Sequence, residues 1–175
     1  TGTVVDHCEL RIDSGGPGRY RGGLGVRVDV RIVSDDAVFS MSSDAETSYP
    51  NGLFGGMPGL PGRKYRDPDS AQESRLYRKT TNLRVNNDTV ISFRTPGGGG
   101  FGDPLEREPE KVVSDVLDGY VSSESAAHDY GVVINSEGDI DQQDTERQRI
   151  LLKSQQRRKP IALANLLLHE KDRVE

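Results

Sequence analysis

Sixteen of the chain's 20 glycines fall into three clusters, at residues 15–25, 52–62 and 97–102. Glycine weakens helices and strands entropically, yet it allows positive φ angles and close approach of another backbone or a ligand. Each cluster is therefore expected to be a loop. A flexible linker would be padded with serine and lack anchors. Here Pro17, Tyr20, Leu24, Leu53, Phe54, Met57, Leu60 and Phe101 interrupt the clusters. These segments read as ordered loops with apolar pegs.

The segments between the clusters alternate as strands do. Cys8, Leu10 and Ile12 share one face of the first run. In the next, Val26, Val28, Val30 and Ile32 oppose Arg27, Asp29 and Arg31. Asp35-Asp36 reads as a hairpin turn into a strand at residues 37–41, and further strands are expected at residues 74–79 and 89–95. After Pro104 the period becomes helical, with Val112, Val113, Val116, Leu117 and Tyr120 following Pro109, and Gly119 near the stop. A second short helix is expected to start after Ser122 and end at Gly131, followed by a short strand at residues 132–134 and a turn at residues 135–138. The expected class is α+β: an antiparallel β-sheet or sandwich with long glycine-rich loops, followed by C-terminal helices. Three units are expected: a β-rich glycine-loop domain at 1–104, a helical extension packing on it at 105–134, and a charged helical tail at 135–175. Pro160 splits that tail, and the apolar cluster Ile161, Leu163, Leu166, Leu167 and Leu168 either docks on a partner or caps the domain's own core.

Only 33% of residues are apolar, so the chain is expected to have short strands and to lean on a partner for burial. The net charge of -5 argues against sequence-independent nucleic-acid binding, which needs a basic face. A single cysteine excludes an intrachain disulfide and any multi-cysteine zinc site, which fits a cytoplasmic setting. No apolar run approaches the ~20 residues of a membrane span. A chain opening on Thr1 either begins at a fragment boundary, the expected case, or exposes a processed N-terminal nucleophile.

Residues 97–102 formally match the G-x-G-x-x-G dinucleotide spacing. That fingerprint requires a helix starting at the loop, whereas Asp103-Pro104-Leu105 follows and helical period begins only near Pro109. What remains is a run of peptide N–H groups at Gly97, Gly98, Gly99 and Gly100 able to cradle an oxyanion or phosphate, or a tight loop at a subunit contact. Arg19 and Arg21 are candidate anion-binding forks, or else partners of Asp13 or Asp29. His7, His128 and His169 show no metal-ligand spacing, so no metal site is expected. His7 and Cys8 would face opposite sides of a strand and cannot pair as base and nucleophile. Cys8 is expected to be buried and structural.

Three segments carry a family resemblance. They are Cys8-Glu9-Leu10-Arg11-Ile12-Asp13-Ser14-Gly15-Gly16-Pro17-Gly18-Arg19-Tyr20-Arg21-Gly22-Gly23, then Gly52-Leu53-Phe54-Gly55-Gly56-Met57-Pro58-Gly59, then Thr95-Pro96-Gly97-Gly98-Gly99-Gly100-Phe101-Gly102-Asp103-Pro104. Together they resemble the C-terminal region of the hydantoinase B/oxoprolinase family. Asp118-Gly119-Tyr120-Val121-Ser122 and Asp129-Tyr130-Gly131-Val132-Val133 extend the likeness to about residue 134. The resemblance implies part of an ATP-dependent machine. Relatives hydrolyse cyclic amides such as N-methylhydantoin or 5-oxoproline, and others carboxylate ketones such as acetone or acetophenone. It places ATP with Mg on a hydantoinase A-like partner, and makes the N-terminal hydantoinase B-like portion a second partner. The isolated chain is then expected to be inactive, with Gly97 to Gly100, Arg19 and Arg21 lining a substrate or phosphate site. A purely structural subunit without a ligand site is the rival from another class. The family is normally several hundred residues long, and the tail beyond Asn135 matches nothing in it.

Overall fold

The protein is described by a computed structural model that covers residues 2–44, 46 and 48–156. Seven strands come first: β1 (Gly2–Leu10), β2 (Val26–Val33), β3 (Ala37–Ser42), β4 (Arg63–Arg66), β5 (Ser74–Arg75), β6 (Lys79–Val85) and β7 (Val90–Arg94). Helices α1 (Pro109–Leu117), α2 (Ser123–Asp129) and α3 (Gln142–Gln156) follow a single 3-10 turn at Pro104–Glu106. The protein is thus α+β, with antiparallel sheets and its helices toward the C-terminal end.

One sheet has the order β1-β2-β7-β4-β5, and β3 pairs with β6 in a second. Every pairing is antiparallel. The alternation in β2 sorts as its sequence predicts, with Ile32 in the apolar core and Arg27, Asp29 and Arg31 on the other face. That core joins Ile32 and Ile91 of the large sheet to Ala37 and Val85 of the small one, with Leu76, Phe39, Leu83 and Phe93 around them. Phe39 and Phe93 meet at 6.1 Å with rings tilted by 60°, which ties the two sheets face to face.

The Asp35-Asp36 hairpin does not form. Both edges of β2 are occupied, by β1 and β7, so β3 leaves for a second sheet where Phe39 is covered. The expected strand at residues 74–79 is also shifted: Ser74–Arg75 and Lys79–Val85 lie in different sheets. β4 gave no apolar signal because all four of its residues, Arg63–Arg66, are only half-buried. Cys8 is exposed, not buried.

The helices start and stop where their caps dictate. Pro109 opens α1, and Gly119 (φ 72°) lies two residues beyond its end. Ser122 caps α2 by accepting the Ser125 N–H at 3.0 Å, and Gly131 (φ 64°) follows it. Val112, Val121, Ala126, Tyr130 and Val132 form a second core between α1 and α2. The segment at residues 132–134 contributes only the bridge Ile134–Ile140, closed by a turn in which Asn135 Oδ1 accepts the Glu137 and Asp139 amides. α3 is fastened by Thr145 Oγ1, which accepts the Val133 N–H at 3.0 Å. The proposed apolar cluster Ile161 to Leu168 lies outside the described residues.

Stability should divide along these lines. Ile91→Ala, in the sheet core at 1% exposure, is expected to cost about 3–4 kcal/mol. Val5→Ala on exposed β1 should stay within about 0.5 kcal/mol, both read by urea denaturation.

Candidate functional site

The three glycine clusters fold into one object. Segment 97–102 runs between segments 15–25 and 52–62, and its donors alternate between them. Gly97 N–H donates to Leu60 O (3.0 Å) and Gly100 N–H to Met57 O (2.9 Å), while Gly98 N–H donates to Gly23 O (2.8 Å) and Phe101 N–H to Tyr20 O (2.9 Å). Donors three residues apart thus point the same way, as in a three-residue-per-turn extended helix rather than a pleated strand. The outer segments also bond to each other, with Leu60 N–H to Ser14 O (2.8 Å) and Met57 N–H to Pro17 O (2.7 Å).

Space, more than backbone angle, explains the glycines. A Cβ on Gly97 would overlap the Ser14 carbonyl, one on Gly100 the Pro17 carbonyl, and one on Gly22 the Gly98 carbonyl. As in collagen, only a residue without a side chain fits where three backbones meet. Within residues 97–100, Gly98 is the exception: its Cβ would come no closer than 3.2 Å to Gly23 N.

Polar side chains lock this bundle to both neighbours. On the sheet side, buried Ser14 Oγ donates to Arg11 O (2.6 Å) and accepts the Gly25 N–H (2.9 Å). The Arg11 guanidinium donates to the Thr95 carbonyl and to Pro61 O at 3.2 Å. Burial lowers the Arg11 pKa from its ordinary value. On the helix side, Asp115 of α1 takes Arg107 at 2.8 Å and Arg21 at 3.3 Å. Arg107 also donates to Arg19 O (3.1 Å), and Arg149 of α3 donates to Arg107 O (2.7 Å) and Tyr130 O (3.2 Å). Burial raises the Tyr130 phenol well above its ordinary value, so it stays neutral.

The structure therefore separates residues that the sequence groups together. Gly97, Gly98 and Gly100 do not offer a free cradle, because their N–H groups already serve backbone carbonyls. Gly97 and Gly100 are buried, Gly98 is exposed, and Gly99 is intermediate. Arg21 pairs with Asp115 and stacks on Tyr120 at 5.2 Å, not with Asp13 or Asp29. Arg19 is open to solvent, 3.9 Å from Glu106 and 5.8 Å from the Tyr20 ring centroid. Asp13 instead accepts the Ser122 N–H at 2.8 Å. Beside Arg19, the rings of Tyr20, Phe101 and Phe54 form an exposed aromatic cluster, with centroids 6.2 and 5.0 Å apart. Sequence reasoning missed Arg107 and Asp115. The available signal was Asp115 itself, a carboxylate three residues after Val112 and next to Val116 on the apolar side of α1.

A second polar feature lies on the other face of the large sheet. Asp6, Arg27, Asp29, Asp67, Asp69 and Asp88 help to line an open cleft of about 460 Å³. Burial opposes ionisation of Asp29, but Arg27, donating at 2.7 Å, together with Ser92 and the nearby His7, outweighs it and holds the carboxyl below the usual range. Among the described residues no group of three or more His, Cys, Asp or Glu side chains is placed to hold a metal ion. No helix among them is long and apolar enough to cross a membrane.

This combination defines a glycine-bundle α+β module whose backbone groups are largely turned inward. The chain belongs to the hydantoinase B/oxoprolinase family, whose model matches residues 1–104. It is 38% identical over 146 residues to a Pseudomonas sp. (strain NS671) protein named as the B-type subunit of a "Putative D-/L-hydantoinase", covering 83% of this chain and 24% of that one. It is 31% identical over 151 residues to the β-chain of the caprolactamase of Pseudomonas jessenii, covering 83% of this chain and 26% of the relative. The crystal structure of the ATP-dependent caprolactamase from that organism superposes with a TM-score of 0.74 at 29% identity, over 85% of this chain and 26% of the solved one. Nucleotide-free acetone carboxylase shares the fold, with a TM-score of 0.77 at 24% identity over 97% of this chain and 27% of the other. The chain thus spans about a quarter of the length of these relatives.

Two measurements check this geometry. Gly97→Ala and Gly100→Ala are each expected to cost about 3 kcal/mol or more, and Gly98→Ala less than about 1 kcal/mol. Equal losses in thermal melts would contradict the packing order. The folded Asp29 carboxyl ionises below its unfolded value of about 3.9. Its pair therefore contributes stability that is present at neutral pH and disappears as pH falls through the folded value. Wild type and Asp29→Asn should differ by about 2 kcal/mol at neutral pH and converge in acid. Parallel pH profiles would contradict this assignment.

Proposed function

We propose that the chain is the C-terminal part, or a small subunit, of an ATP-dependent cyclic-amide hydrolase of the hydantoinase/oxoprolinase type. It works only with a hydantoinase A-like subunit and the N-terminal hydantoinase B-like portion, in the cytoplasm. The observation that carries this reading is the ordering of relatives: those named for hydantoin and caprolactam are 38% and 31% identical, whereas acetone and acetophenone carboxylase subunits are each 26% identical. Ketone carboxylation is therefore the second reading. Bicarbonate-dependent ATP hydrolysis would distinguish it.

ATP with Mg belongs on the partner. The one nucleotide-like glycine motif runs into a backbone bundle and then a 3-10 turn, with no long helix to direct its N-terminus at a phosphate. In the amide-hydrolase chemistry ATP supplies phosphoryl activation of the amide oxygen. Within this chain, exposed Arg19 and the open side of Gly98 and Gly99 line the substrate or phosphate site. Gly97, Gly100 and Arg21 hold that surface in place from beneath. Arg19 brings a planar cationic fork, and the bundle keeps its backbone rigid at low entropic cost on binding.

The test is reconstitution with both partners and measurement of hydantoin- or lactam-dependent ATP hydrolysis. Arg19→Ala is expected to lower kcat/KM about tenfold or more with an unchanged melting temperature, and Gly98→Val to abolish turnover while the complex stays assembled. Full activity in both variants would leave the chain a structural subunit.

A further inference from the structure

Among the described residues, the apolar face of the five-stranded sheet is covered at one end only. Cross-strand pairing sets Val5, Cys8 and Leu10 of β1 beside Val30, Val28 and Val26 of β2, and Val28 and Val30 beside Phe93 and Ile91 of β7. The register shift between Val5 and His7 keeps Val5 on the same face as Cys8. The small β3–β6 sheet covers the Ile32, Ile91 and Phe93 end, where the first core sits. Beyond β2 no described residue continues the cover. All nine residues of β1 are exposed, Val5 at 60% and Leu10 at 50%, while Val26, Val28 and Val30 are all half-buried. A strip of apolar side chains continuing from an established core marks a surface for interaction with another polypeptide.

The relatives indicate what covers it. In the two solved structures this fold makes up 26% and 27% of a single chain, so about three quarters of each polypeptide lies elsewhere. We infer that the strip Val5, Cys8 and Leu10 is the seat of the remaining hydantoinase B polypeptide, which lays an apolar face on β1 and β2 and completes the core begun by β3 and β6. This inference rests on the functional reading above. It places that contact on the uncovered sheet face, away from the aromatic cluster and Arg19 on the glycine bundle.

Cys8, the only cysteine in the chain, reports directly on this face. The probe is the part of the Pseudomonas sp. (strain NS671) relative that lies outside the matching region, co-expressed with this chain. Maleimide labelling of Cys8 is expected to slow at least about tenfold in the complex. Leu10→Lys and Val5→Asp alter exposed side chains, so the chain's own melting temperature should hold while association weakens about tenfold or more. Phe54→Ala, on the aromatic cluster, should leave association unchanged. A stable complex in which Cys8 labels at its free rate overturns the assignment of this face and leaves the functional reading standing. Absence of any complex overturns both. Protection of Cys8 by self-association of this chain, or only on addition of the hydantoinase A-like subunit, also overturns the inference by assigning the face to that occupant.

Discussion

Main-chain carbonyls of residues 14, 17 and 98 lie where Cβ atoms on residues 97, 100 and 22 would have to sit. This exclusion of side chains lets three segments, far apart in sequence, share one set of backbone hydrogen bonds. The rest of the protein is organised around that contact. Both β2 and β7 continue directly from it, through Gly25–Val26 and Arg94–Thr95, so bundle and sheet set each other's register. Val26 N–H donating to Thr95 Oγ1 at 2.7 Å, and Thr95 N–H donating to Val26 O at 2.8 Å, mark the junction.

A bundle that packs backbone against backbone supplies no residue to either buried apolar cluster, so it needs fastening from outside. Arg11 and Ser14 tie it to the sheet, while Arg21 and Arg107 converge on Asp115 to tie it to the helices. The Asp115 cluster sets two half-buried guanidinium groups against one buried carboxylate, an arrangement that holds only while every member is present. Arg149 extends it to α3 through carbonyls of residues 107 and 130, so the three C-terminal helices and the bundle form a single charged joint. The 105–134 segment is thereby part of the scaffold that supports the glycine loops.

This architecture narrows what the glycine loops can contribute to chemistry. Backbone amides that bond to neighbouring carbonyls hold a surface still; they do not themselves grasp a ligand. The groups left at the surface are the Arg19 guanidinium, the Tyr20, Phe54 and Phe101 rings and the open side of Gly98. Their positions are rigid because their backbones cannot move independently. Such a surface suits a protein that completes a site or an interface with other polypeptides, in keeping with relatives about four times as long.

Much was legible in the sequence where a short-range rule was enough. Strict alternation revealed β2, and proline and glycine placement revealed α1 and α2. The ordered, peg-bearing nature of the glycine clusters followed from Tyr20, Leu53 and Phe101, and the spacing of the clusters pointed to the family. Other features depend on partners distant in the chain. Asp35-Asp36 looked like a hairpin until β7 occupied the edge of β2. Cys8 looked buried because its strand alternates, yet nothing among the described residues covers that face of β1. Arg21 had Asp13 and Asp29 close by in sequence, but its counter-ion lies 94 residues away in α1. The amino-acid order by itself determined which segments extend, which coil, and that three of them are rich in glycine. Only the tertiary structure decided that those three come together. Their hydrogen bonds join residues about 40 to 80 positions apart, and no local pattern records which carbonyl will occupy the space that a missing Cβ leaves.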